Sequence, residues 1–110
     1  MRETKRYYRH KIENLLIVNK IVTIHYLRLK PGFLHPPESH DFWEIVYADK
    51  GNAVIVREGE RLTLRQGDAV FHRPLESHAL AAETETNVVI ITFECTSEAL
   101  RTLERRQIRI

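Results

Sequence analysis

The sequence predicts an all-β fold of barrel or sandwich type, and three observations carry that prediction. The stretch from Gly32 to Gly51, GFLHPPESHDFWEIVYADKG, sets Phe42 and Glu44 on one parity of an extended strand and Trp43, Ile45 and Tyr47 on the other, so apolar residues face both sides. VVIITFEC repeats the pattern, with Val89, Ile91, Phe93 and Cys95 opposite Val88, Ile90 and Thr92. AVIVR and RLTLR, joined around Glu58 and Gly59, read as a hairpin. Strands covered on both faces suit a closed barrel or packed layers better than a sheet open to water.

The chain divides into an arm over residues 1–14, a barrel over 15–96 and a helix with a tail over 97–110. The arm lacks a clear period; its Tyr7 and Tyr8 either pack across a barrel mouth or cover an edge strand. From Leu15 to Lys30 the chain is rich in β-branched and aliphatic residues and reads as a strand ending at the Pro31-Gly32 turn, with His25 as a packed or hydrogen-bonded histidine. His35, beside Pro36 and Pro37, falls in a stiff extended loop. In the hairpin, Leu62 and Leu64 point inward. Pro74 ends the strand that begins AVFH, because proline cannot donate to a ladder. Thr96 and Ser97 suit a helix N-cap, and Leu100 and Leu103 mark one face of a short helix from about 97 to 106.

At 110 residues the chain holds one domain, and 43% hydrophobic against 29% charged residues is ordinary globular composition. No apolar run reaches the roughly 20 residues a membrane-spanning helix needs, and the basic start lacks the apolar core of a secretion signal. The lone Cys95 reads as an apolar filler, and these features together lead to a cytoplasmic expectation with no membrane partner. The net charge of +2 is uneven: residues 1–13 carry +3, residues 98–110 carry +2 and the middle carries −3. No basic stripe interleaved with aromatics runs through the barrel, so no nucleic acid is expected as a partner of this chain.

Glu38, His40 and Glu44 share one parity and form a cluster of possible ligands. Their spacing resembles the first motif of the cupins: Gly32, five residues, Glu38, one, His40, three, Glu44, six, Gly51, with Glu38 in place of the first histidine. Gly67, Asp68, Pro74 and His78 are similar to the second motif, although Glu76 occupies a turn where glycine is common and Ala82 a position where enzymatic cupins often have asparagine. Within the cupins, HDFWEIVYADKG and GDAVFHRPLESH look like the amino-terminal sensing domain of AraC-type transcriptional regulators.

The resemblance implies a small single-domain double-stranded β-helix, or jelly-roll barrel, with a short C-terminal helix. It implies that His40, Glu44 and His78 converge inside the barrel. Two imidazoles and one carboxylate suit Fe, Mn, Ni or Zn, with Glu38 as a fourth, oxygen ligand. The alternative is a metal-free network in which the same groups neutralise one another. His72 either lines the pocket or points outward, and Trp43 is either a core plug or a platform for a sugar ring. The implied function is a ligand-sensing and dimerising domain, not an enzyme, taking a small-molecule effector such as a sugar and forming a homodimer. DNA would be read through a helix-turn-helix part for which this chain has no residues. The competing class is a small stand-alone metal-dependent enzyme, a dioxygenase, isomerase or lyase.

Overall fold

The computed structural model describes residues 18–95 and 107–109, and the described part is built from strands. In chain order these are β1 (Val18–Leu29), β2 (Phe33–Glu38), β3 (Trp43–Lys50), β4 (Ala53–Arg57), β5 (Glu60–Leu64), β6 (Asp68–His72), β7 (His78–Ala82), β8 (Thr86–Cys95) and β9 (Gln107–Arg109). They form two antiparallel sheets, one ordered β1-β8-β3-β6-β9 and the other β2-β7-β4-β5. The arm over 1–14 and the helix over 97–106 lie outside the described residues. Part of the expected tail is strand β9, paired with β6 through Asp68↔Arg109 and Val70↔Gln107.

The two-faced strands place apolar side chains in two layers. On the inner side, Leu29, Val46, Ala48, Val70 and Val88 of the first sheet meet Ala53, Ile55, Leu64 and Ala82 of the second. On the outer side of the first sheet, Trp43, Phe71 and Phe93 cluster with Ile45, Ile91 and Cys95. β3 and β8 hold both layers in register through Ile45↔Ile91 and Val46↔Ile90. Full burial of a side chain such as Ile55 or Leu64 contributes about 1.5–3 kcal/mol, so the inner layer is the main source of cohesion between the sheets.

The β4–β5 hairpin forms where the sequence places it. Glu58 (φ 47) and Gly59 (φ 82) both have positive φ, the backbone that a two-residue hairpin needs to follow the strand twist.

Two strands were not anticipated. The segment read as a proline-stiffened loop is β2, which pairs with β7 through Phe33↔Ala82, Leu34↔Ala81, His35↔Leu80 and Glu38↔His78. The register shifts between His35 and Glu38, across Pro36 and Pro37, whose ring nitrogens have no hydrogen to donate. β2 ends its sheet, and a sheet edge is where such a strand is tolerated. β7 is the run HALAA, whose small residues carry a weak strand signal but pair beside β4 in the register Val54↔Ala81 to Arg57↔His78.

A candidate metal centre at the barrel mouth

Glu38, His40 and Glu44 reach one site by a different route from the single strand their parity suggested. Glu38 closes β2, His40 sits in the connection, and Glu44 is the second residue of β3. His78 opens β7 and stands opposite Glu38 in the register. A main-chain bond ties the two motifs together: the Leu75 N–H donates to the His40 carbonyl at 2.6 Å. Leu75 itself has φ 67, a left-handed conformation costly for a residue with a branched side chain.

One ligand atom from each of Glu38, His40, Glu44 and His78 can be chosen so that all four lie within 4.8 Å of one another. His40 Nε2 is 3.2 Å from Glu44 Oε1, while His78 Nε2 is 3.4 Å from Glu44 Oε2 and 3.8 Å from Glu38 Oε1. The outer face of each imidazole is fixed by a carbonyl. The Nδ1–H of His40 donates to Phe42 O at 3.0 Å, and that of His78 to Glu76 O at 2.9 Å. A carbonyl can only accept, so Nδ1 carries the hydrogen in both rings and each neutral ring presents a bare Nε2 to the carboxylates.

Four acceptors facing one another require positive charge between them. That charge is either a metal ion or protons on the rings. His78 Nε2 is buried with no hydrogen-bond partner among the described residues, as suits a metal-ligand atom. Two imidazole nitrogens and two carboxylates are a donor set that fits a divalent transition metal, and the two carboxylates match its charge. The residues present therefore fit a metal.

The electrostatics agree. Burial pushes the Glu44 carboxyl up, but its contact with His78 and the nearby His72 and His40 outweigh burial and hold it below the ordinary carboxylate range. Burial pulls the His78 imidazole down, yet Glu44 more than compensates and raises it, with the Glu76 carbonyl and Glu38 adding to the effect. The cluster thus favours a cation at its centre in either form.

The ligand atoms open into a cavity of about 480 Å³, lined by polar residues, Thr23, His25, Ser39 and Thr92, and by apolar ones, Leu27, Phe33, Leu80 and Ile90. His35 and Phe42 also reach it, and Phe42 stacks on the His40 ring with centroids 4.1 Å apart. His25 and His35, read from sequence as a packed residue and a loop residue, are thus cavity residues. The signal for His25 was its parity with Thr23 and Leu27 on β1.

Trp43 and His72 are not among the lining residues. Trp43 is the core plug of the outer layer, packed with Phe71 and Phe93, because its parity on β3 is opposite to that of Glu44. His72 pairs with Glu44 in the β3–β6 register and stacks behind His78, with ring centroids 4.2 Å apart and planes 9° apart.

The family described as AraC-like ligand binding domain matches residues 23–109. The chain belongs to this family of cupin domains. It is 33% identical over 73 residues to pectin degradation protein KdgF of Dickeya dadantii, a match that takes 66% of this chain and 64% of that protein. The chain therefore spans less than two thirds of the length of this curated relative.

Among solved structures, a predicted oxalate decarboxylase from Thermotoga maritima superposes with a TM-score of 0.65 at 24% identity, covering 69% of each chain. A cupin superfamily protein from Desulfitobacterium hafniense gives 0.64 at 18%, covering 73% of this chain and 76% of that one. A salicylate 1,2-dioxygenase variant from Pseudoaminobacter salicylatoxidans gives 0.60 at 18%, covering 68% and 24%. At these identities the structures establish the shared fold.

These findings correct the expectation that the chain is not an enzyme. The curated relative that the chain matches is a pectin degradation protein. Glu38, which stands where the first motif has a histidine, joins the candidate ligand cluster. Among the described residues no helix is long and apolar enough to cross a membrane.

Proposed function

We propose that this chain is a small metal-dependent cupin enzyme acting on an oxygen-rich, sugar-derived acid. The observation that carries the reading is the convergence of Glu38, His40, Glu44 and His78 in the lining of one cavity. His40, Glu44 and His78 hold the ion and Glu38 completes the set from the rim. When bound, the metal supplies Lewis-acid polarisation of a substrate oxygen. The chain's own residues do the rest. Thr23, His25 and Ser39 offer hydrogen bonds to hydroxyls or a carboxylate, and the apolar Leu27, Phe33, Leu80 and Ile90 exclude water.

The substrate class follows from the relative's role in pectin degradation, since pectin is built of acid sugars, and from a cavity sized for a small ligand. The test is turnover of monomeric and dimeric uronates by protein stripped of metal and reloaded with Mn(II), Fe(II), Ni(II) or Zn(II). Activity that disappears on stripping and returns with one of these ions supports the reading. No turnover with any ion would sink it.

A second reading is favoured by the family match itself: a sensor domain of an AraC-type regulator that binds an effector such as a sugar without changing it. Recovery of the bound ligand unaltered, with binding indifferent to metal, would select that reading. Homodimer formation and a cytoplasmic location belong with either one as proposals.

A further inference from the structure

Behind the candidate ligands lies a second polar layer that the proposed reaction does not use. His72 and Glu76 are each 1% exposed. Their side chains are joined by a hydrogen bond of 2.6 Å from His72 Nδ1 to Glu76 Oε2. Burying a carboxylate and an imidazole this completely costs free energy unless each has a partner, so the pair is a specific arrangement. Arg57, buried at the end of β4, adds its positive charge to the partners that hold the Glu76 carboxyl down.

Glu76 acts on His78 from two directions. Its main-chain carbonyl takes the His78 Nδ1–H at 2.9 Å. Its side chain anchors His72, whose ring lies flat against the His78 ring at 4.2 Å and 9°. A single hydrogen bond at Nδ1 leaves the imidazole free to rock about that bond. A parallel ring against its face removes this freedom, provided that the parallel ring is itself fixed. Glu76 does the fixing.

We propose that the His72–Glu76 pair is a positioning device, which clamps the His78 imidazole so that Nε2 is aimed at the metal cluster. Both residues also depart from the usual cupin wording in and near the second motif, Glu76 where glycine is common and His72 where an aliphatic residue is usual, beside the separate departure at Ala82. The structure makes His72 and Glu76 partners of each other. The inference rests on the metal-dependent reading for its consequence, but its geometric content can be measured without metal.

The experiment compares wild type, Glu76→Gln and the double variant His72→Leu with Glu76→Gln. Glutamine keeps an acceptor for the His72 Nδ1–H, and the double variant removes both the ring and the buried charge while roughly conserving volume. Two readouts are taken on protein verified as folded by its melting transition. One is the ring-nitrogen chemical shifts of His78 in the metal-free protein at alkaline pH, which report its tautomer; the other is Co(II) affinity followed by visible absorption. Wild type should have the single Nδ1–H tautomer, Glu76→Gln should stay close to it, and the double variant should have mixed tautomers and bind Co(II) about 10–100-fold more weakly, the usual effect of losing an outer-shell partner. A folded double variant with unchanged ring shifts and unchanged Co(II) affinity would overturn the proposal. If wild type binds no Co(II) at all, the proposed function fails, while the ring shifts still decide whether the clamp exists.

Discussion

At the scale of single residues, the site is a contest between burial and pairing. Glu44 and Glu76 both titrate below the ordinary carboxylate value near 4.5, because facing histidines outweigh burial. Each adds stability above that value and loses it as pH falls through its own folded value. His72 lies below 6.5, chiefly through burial and despite Glu76, so its protonation opposes the fold once pH drops under 6.5. His78 has the opposite sign: its raised value contributes stability below 6.5, lost as pH rises through the folded value. Three groups against one predict that metal-free protein melts at progressively lower temperature from neutral to acid pH. The double variant His72→Leu with Glu76→Gln should flatten that fall, and melting curves across the range check it. The candidate ligands were legible at this scale, because motif spacing fixes which residues approach the cavity. Glu76 was legible only as a departure, since its meaning depends on His72, and no spacing rule pairs those two.

At the scale of elements, turns decide where strands can close. Gly51 (φ +75) sits where an added Cβ would meet the Glu85 carbonyl oxygen at 2.5 Å, while Gly59 (φ +82) has open space around it. Gly59→Ala should therefore cost only the backbone penalty, about 1 kcal/mol. Gly51→Ala adds a main-chain clash and should cost about 2–4 kcal/mol. Urea unfolding of the two variants measures the difference, and equal losses would count against the assigned turn geometry. The hairpin and the two-faced strands β3 and β8 could be read from alternation, because a period of two is visible in any run with enough large apolar residues. β2 and β7 could not. Two prolines mask the first and small residues the second, and it is long-range pairing that makes them strands, β2 with β7 through Phe33↔Ala82 and Glu38↔His78 and β7 with β4 through Val54↔Ala81.

At the scale of the whole molecule, the ligand set joins distant stretches of chain, since Glu38, His40 and Glu44 precede β3 or begin it and His78 opens β7. An ion bound by all four would link the second sheet, through β2 and β7, to the first, through β3. Binding to the folded state alone stabilises by mass action, by about 2.7 kcal/mol at a hundredfold excess over Kd. Chelation should accordingly lower the melting temperature by several degrees, reversibly on adding the ion back, whereas His78→Ala should melt at the same temperature with and without chelator. The fold class was readable from the sequence at this scale, because strands that are apolar on both faces leave few other architectures. The choice between an enzyme and a sensor was not, because it depends on what the cavity holds.

The most direct test of the account is the metal content of the purified, reloaded protein, measured by mass spectrometry of the elements for wild type and for His40→Ala, Glu44→Ala and His78→Ala. The account predicts one divalent ion per wild-type chain and loss of that ion in each folded variant. Wild type free of metal after reloading, or variants that retain the wild-type content, would contradict it.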